Sequence, residues 1–409
     1  MTILICTVGG SPAPIVTALA RWQPSFTVFV CSEEDPTSEK KGSASSTQVE
    51  GKGPVCTSGP NRAPDLPNIP TQAGLAPGSW EVLLVPADDP AIILRRITAK
   101  LRDMLERGGG EIVADYTGGT KSMTAGLFAA ALLTPGIGLS LVGGPRLDLV
   151  RVTDGLEAAT RVDAEAIRGS WRLAEARRAW TRFGYAEAAR ILDQGGQTDP
   201  DSVRARSLSR GYALWDAFDH AEAYRMLKPL GRFVAEGLMP ALAILANDMS
   251  ERGTAYRIWD VLFMAERRAA GQQYDTAVLL VYRALEWIAQ WSLREHQGID
   301  ASDVHDEPAT MTDLVHVSHT GKRVIGLHNA WTALGRLAGP FSEVGRATDK
   351  TRLTFAELRN TSLFAHGVRP MSKADFAQAR SWFDQNVLPS FLAVSFAGKP
   401  PFGQLPTSF

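Results

Sequence analysis

Residues Glu111–Met123 read EIVADYTGGTKSM, and the order of residue types in this stretch decides the fold class. Glu111–Asp115 is a short apolar run suited to a strand, and the text from Lys121 or Ser122 onward reads as a helix. Hydroxyls, two glycines and an ammonium lie between them, directly after the strand and directly before the helix. Free backbone N–H groups at a helix start, with Thr117, Thr120 and Lys121 beside them, make an anion site. Open α/β sheets bind their ligands at such a place, outside the carboxyl ends of the strands.

The preceding text agrees. Thr2–Thr7 is a β-rich apolar run that ends in Gly9-Gly10-Ser11-Pro12, Ile15–Trp22 reads as a helix, and Phe26–Cys31 reads as a second strand. Strand, glycine turn, helix and strand open a βαβ unit. Strand-like text resumes at Glu81–Pro86. Asp88–Arg107 follows as an amphipathic helix, with Ile92, Ile93, Ile97, Leu101 and Leu105 at helical spacing, ended by Gly108–Gly110. The apolar region Ala125–Gly144 is broken by Pro135, Gly136 and Gly138, so it reads as a helix and a strand of a buried α/β layer rather than a membrane span. Between residues 33 and 79 the text is rich in Ser, Gly and Pro, and predicts a disordered insertion on the sheet.

Composition limits the function classes. The 409 residues are long for one core. A formal net charge of −1 removes a general polybasic grip on nucleic acid, so any RNA contact is local. Cys6, Cys31 and Cys56 form neither a disulfide frame nor a zinc motif, which suits the cytoplasm. The start, MTILICTVGG, lacks the basic region of a secretory signal.

After Gly155 the chain reads as almost wholly helical. Trp180-xx-Phe183-xx-Ala-Glu-Ala188-xxx-Leu192 recurs as Trp215-xx-Phe218-xx-Ala-Glu-Ala223-xxx-Leu227, an offset of 35 residues. That is close to the ~34 of tetratricopeptide arrays, with two copies where about three are needed. A helical connector is the preferred reading, with a peptide-binding array as the alternative. Tyr274–Leu293 is a strong helix, with Arg283 and Glu286 at i, i+3. Gly298–Lys322 is polar and carries His305, His316 and His319 without the Cys or Glu companions of a zinc site, so no metal is expected.

Phe355–Val368 reads FAELRNTSLFAHGV. Arg359 and His366 stand seven residues apart in a segment of good helix formers. On a helix they fall within about 20° of one stripe, two turns apart. Such a face presents a permanent cation beside a titratable imidazole, a pair suited to phosphodiester chemistry. A final helix is expected over Lys373–Phe391.

Two resemblances follow from these motifs. DYTGGTKSM, paired with TVGGSPAPI after the first strand, closely resembles the CARF domain of CRISPR-associated proteins, over about residues 1–155. RNTSLFAHG resembles the active-site helix of HEPN ribonucleases, whose signature is R-x4-6-H with a polar residue after the Arg, a slot that Asn360 fits. The resemblance implies a Rossmann-like α/β CARF domain (1–155), a helical connector (156–265) and an all-α HEPN nuclease bundle (266–409). It implies a ligand site in which Gly9, Gly10 and Ser11 approach cyclic oligoadenylate while Thr117, Gly118, Gly119, Thr120 and Lys121 hold its phosphates and ribose oxygens. It also implies a homodimer with a composite nuclease site of Arg359, Asn360 and His366 acting on single-stranded RNA.

The glycine loop departs from the phosphate loop of nucleotide hydrolases: the first glycine is missing at the required distance, and Thr120 stands where Gly should precede the Lys. ATP hydrolysis is therefore not expected. Without an acidic cluster for paired metals, the expected cleavage is metal-free, with attack by the RNA 2′-hydroxyl giving a 2′,3′-cyclic phosphate. DNA, which lacks that nucleophile, is not a substrate. No cofactor is expected beyond the cyclic oligoadenylate activator, which on a third reading the CARF domain itself degrades. The rival reading is a non-catalytic regulator or scaffold that senses a cyclic nucleotide and binds a partner through its helices.

Overall fold

The computed structural model describes residues 1–33, 46–51, 67–144, 157–195, 199–347 and 368–409. The described chain divides into two units, Met1–Ser170 and Trp171–Phe409.

The first unit is built on six strands: β1 (Thr2–Thr7), β2 (Phe26–Ser32), β3 (Trp80–Val85), β4 (Glu111–Asp115), β5 (Ile137–Gly143) and β6 (Ala158–Val162). They lie in the order β3-β2-β1-β4-β5-β6, all neighbours parallel except the antiparallel β5–β6 pair. Side-chain alternation along each strand feeds two cores. Leu4, Cys6, Phe29 and Val113 face α1 (Ala13–Trp22), whereas Ile5, Val28, Val30, Ile112 and Ala114 face α4 (Pro90–Arg107) and α5 (Lys121–Leu133). Burial on both faces explains why the strands read as nearly unbroken apolar text. Gly126 lets α4 and α5 approach: a Cβ there would lie 2.4 Å from Ile93 Cγ2.

Part of the insertion expected to be disordered over 33–79 is folded. Residues 46–51 and 67–79 carry α2 (Thr47–Glu50) and α3 (Ile69–Gln72), whose Val49 and Ile69 are buried against the α1 side of the sheet. Asn68 caps α3 by accepting from Thr71 N–H at 3.0 Å, and its amide donates to Gly51 O at 2.9 Å. Single apolar side chains buried against the sheet anchor these short helices, which periodicity cannot reveal.

The far end of α5 is held by Arg168, a buried residue of α6 (Ala164–Trp180). Its guanidinium donates to the carbonyls of Ala131 (2.7 Å), Leu132 (3.1 Å), Thr134 (3.2 Å) and Ile137 (3.1 Å). Thr134 Oγ1 donates to Ala130 O at 2.8 Å. Carbonyls that a helix end leaves without intrahelical donors are thereby satisfied.

The second unit contains α7 (Tyr185–Asp193), α8 (Pro200–Asp216), α9 (His220–Leu227), α10 (Leu238–Asn247), α11 (Glu251–Ala270), α12 (Tyr274–Gln297), α13 (Leu327–Arg336) and α14 (Ser342–Ala347). Two further helices follow, Lys373–Asn386 and Leu388–Phe396, where one was expected; Pro389 opens the second. A two-stranded pairing of β7 (His316–Val317) with β8 (Arg323–Val324) occupies the polar region.

The repeat seen in the sequence is a helical hairpin, and the structure adds a third copy. The turns α6–α7, α8–α9 and α11–α12 place Phe183, Phe218 and Gln272 at φ of 60°, 67° and 60°. Each closes with the same backbone bonds: Phe183 N–H to Trp180 O, Phe218 N–H to Trp215 O and Gln272 N–H to Ala269 O, at 2.8–2.9 Å. Ala188, Ala223 and Ala277 are buried at equivalent places in the second helices. Buried apolar residues from Ala176 to Leu405 form one continuous core. The segments expected as connector (156–265) and bundle (266–409) share this core, and the described chain divides at residue 170. The shared core is the reason: hairpins packed in series leave no polar gap at which to divide them.

Inside this core lies an ionic network. Asp260 accepts from Trp215 Nε1 (3.1 Å), His220 Nε2 (2.8 Å) and Arg267 Nη2 (3.3 Å), and Arg267 also donates to Asp216 (2.7 Å). The side chains of Asp260 and Arg267 are fully buried.

Candidate functional site

The strand order reverses direction between β1 and β4, and the loops that leave these two strands meet there. In an open parallel sheet this crossover is where a crevice opens. A Cβ built on Gly9 would lie 2.6 Å from the Gly119 amide nitrogen, so only glycine allows the two backbones this close. Gly118 is equally confined, with Thr7 O at 2.3 Å from its notional Cβ, and Gly119 has φ +89°. Gly118 O accepts two hydroxyls, Thr7 Oγ1 at 2.5 Å and Thr124 Oγ1 at 2.8 Å. Gly9→Ala should therefore force the loops apart and cost about 1–3 kcal/mol, the usual range for overpacking, read as a lowered thermal midpoint.

Thr120 is the N-cap of α5, accepting from Met123 N–H at 3.1 Å and donating to Ala87 O at 2.5 Å. Its hydroxyl thus fixes the loop from within. Thr117 is similarly engaged, accepting from Val142 N–H at 2.7 Å while its own N–H donates to Asp115 Oδ1 at 3.1 Å. Lys121, the first residue of α5, is exposed. A cleft of about 600 Å³ opens beside it, lined by Tyr116, Thr117, Gly119, Lys121, Thr124, Ala125 and Phe128. Tyr116 and Phe128 meet edge to face with ring centroids 5.1 Å apart.

Of the expected ligand residues, Thr117, Gly119 and Lys121 line this cleft; Gly9 and Gly118 form the loop crossing behind it. Gly10 and Ser11 are exposed at the entrance to α1. The sequence reading missed Tyr116, Thr124, Ala125 and Phe128, although the last three stand at i+3, i+4 and i+7 from Lys121, one helix face. It also missed Gln48, which reaches from the insertion to donate to Gly9 O at 2.6 Å.

Beneath the loop, Asp115 is buried and accepts from Ser140 Oγ at 2.7 Å, which in turn accepts from Trp22 Nε1 at 3.0 Å. Burial pushes the Asp115 carboxyl above its ordinary range, and the hydrogen bonds from Thr117 and Ser140 pull it partly back. The folded state therefore holds this proton more tightly than the unfolded chain. Stability from this group falls as pH rises from the unfolded carboxylate pKa of about 3.9 through the raised folded value. Asp115→Asn does not titrate, so its stability relative to the parent should rise between pH 4 and pH 7, measured as denaturation midpoints at both ends.

Arg359, Asn360 and His366 lie outside the described residues. The described chain resumes with several ties: Met371 N–H donates to Asp275 Oδ2 at 3.1 Å, Arg369 Nη2 donates to both carboxylate oxygens of Asp375 at 3.0 and 3.1 Å, and Ser372 and Asp375 form a capping box. Arg283 and Glu286 make an ion pair at 2.8 Å near the surface. Among the described residues no group of His, Cys, Asp or Glu is arranged to hold a metal ion, and no helix is long and apolar enough to cross a membrane.

A family model described as the Csm6 HEPN domain matches residues 246–385. Among solved structures, Enterococcus italicus Csm6 bound to cyclic hexa-2′-fluoro-hexa-dAMP is similar over 98% of this chain and 95% of its own, with a TM-score of 0.59 and 12% identity. A type III CRISPR defence DNA nuclease activated by cyclic oligoadenylate aligns over 56% of this chain and 35% of its own, at 17% identity and a TM-score of 0.24. No curated protein matches the chain.

Proposed function

We propose, for a chain that belongs to the CARF–HEPN proteins of type III CRISPR systems, that it is a ribonuclease switched on by cyclic oligoadenylate. One observation carries the reading: two glycine loops close on each other at the β1/β4 crossover, in the same chain as a Csm6-type HEPN domain. The cleft beside them joins a lysine and a helix start, which suit phosphate, to an aromatic pair, which suits a base. The ligand named for the E. italicus relative is of the same chemical class.

One Lys121 per chain is little charge for a ring of phosphates, so the ligand is shared across the two-fold axis of a homodimer. Its binding shifts the population toward an arrangement in which two copies of the Arg359–His366 helix face one RNA strand. There His366 moves the proton of the 2′-hydroxyl attack, Arg359 stabilises the phosphoryl oxygens, and Asn360 positions them. No metal enters this route.

The test is cleavage of a fluorescent single-stranded RNA in EDTA, with and without cyclic tetra- or hexa-adenylate. Cleavage that appears only with one of the rings supports the reading. Cleavage that needs an added divalent metal removes the mechanism, and ligand binding without cleavage under any condition leaves a sensor rather than a nuclease.

A further inference from the structure

The segment that follows the last helix, Lys399–Phe409 (KPPFGQLPTSF), forms neither helix nor strand, yet two of its apolar side chains are buried. Phe402 is 6% and Leu405 2% exposed. The segment lies against the first helices of all three hairpins. On α11, Trp259 Nε1 donates to Phe402 O at 3.1 Å, Arg267 Nη1 donates to Gln404 Oε1 at 2.9 Å, and Phe263 O accepts from Gln404 Nε2 at 3.1 Å. On α8, the Trp215 ring stands 6.2 Å from that of Phe402. On α6, Trp180 meets Phe409 edge to face at 5.0 Å, and the Arg177 guanidinium lies 5.6 Å from the same ring. From the start of α7, Tyr185 Oη donates to Pro406 O at 2.7 Å.

These contacts have the form of peptide recognition. Side-chain donors of the helices read main-chain carbonyls at Phe402 and Pro406, the Arg267 guanidinium and the Phe263 carbonyl read both ends of the Gln404 amide, and the apolar surface of the bundle takes Phe402, Leu405 and Phe409. Stacked helix pairs present a continuous surface suited to an extended chain. The junction to the preceding helix is an exposed turn, Ala397 and Gly398 at φ 51° and 80°. It links the segment to the bundle without burying the connection.

We propose that the first helices of the three hairpins form a peptide-recognition groove, and that Lys399–Phe409 is its ligand, held in cis. A short tether sets an effective concentration in the millimolar range, so a ligand of micromolar affinity keeps the groove filled in the intact chain.

The experiment uses the full chain with a site-specific protease sequence inserted after Gly398. The protein folds first, is nicked, and is freed of the released segment by dialysis at low concentration. A fluorescein-labelled peptide of residues 399–409 is then titrated by anisotropy. Saturable binding to the nicked protein is expected, at least tenfold weaker for the peptide carrying Phe402→Ala, with no binding to the uncut chain. Equal binding of both peptides, or none to nicked protein that keeps its circular dichroism, overturns the proposal. So does unfolding on nicking, since the segment would then be an inseparable part of the core.

Discussion

Replacing His366 with Ala should lower RNA cleavage by about 10²- to 10⁴-fold, the usual contribution of a general acid–base group, while cyclic oligoadenylate binding stays within a factor of two or so. The separation rests on placement. The glycine loops and the cleft belong to the first unit, whereas the Csm6 HEPN match covers residues 246–385. On the proposed mechanism, a side chain that only moves a proton at the RNA contributes nothing to ligand binding. Arg359→Ala should fall similarly, because a lost guanidinium removes charge stabilisation where negative charge develops. Mixed dimers with one His366→Ala chain would report whether both imidazoles serve one cleavage. Single-turnover cleavage with labelled-ligand binding in parallel decides the matter; cleavage unchanged in His366→Ala removes this residue from the mechanism.

Asp260→Ala should be the most damaging substitution for stability, at about 3–5 kcal/mol, the cost of breaking a buried ion pair from one side. Asp260 is the shared acceptor of an indole, an imidazole and a guanidinium, and Arg267 is fully buried. Removing the carboxylate leaves that charge with Asp216 and Gln404 alone, and orphans Trp215 Nε1 and His220. Asp260→Asn keeps an oxygen acceptor and should lose less. Chemical denaturation of the parent and both variants tests the order; a loss below about 1 kcal/mol for the Ala variant means the network is not closed in solution.

The first unit was legible because its chemistry is local. A strand, two glycines and a helix start are contiguous in DYTGGTKSM, so periodicity and turn chemistry find them together. The meeting of Gly9 with Gly119 was legible only as a resemblance, since nothing local says that two loops 110 residues apart touch. Val49 and Ile69 were hidden as single apolar residues in polar text. The third hairpin escaped because Gln272 replaces the phenylalanine of the first two turns and the offset changes from 35 to 54 residues. Segment 399–409 has neither a helical nor a strand period, so the burial of Phe402 and Leu405 depends on the surface that receives them.

The two fastenings of α5 have a dynamic consequence. Its first turn is capped by Thr120, itself tied to Ala87, and its last carbonyls are taken by Thr134 and Arg168. A helix of 13 residues, roughly 20 Å long, ordinarily frays from both ends. Here neither end is loose, so the amides from Thr124 to Leu133 should exchange with deuterium as one block, at one rate, rather than in a gradient toward the tips. A rod that does not unravel carries an ångström imposed at the glycine loop undiminished to Arg168.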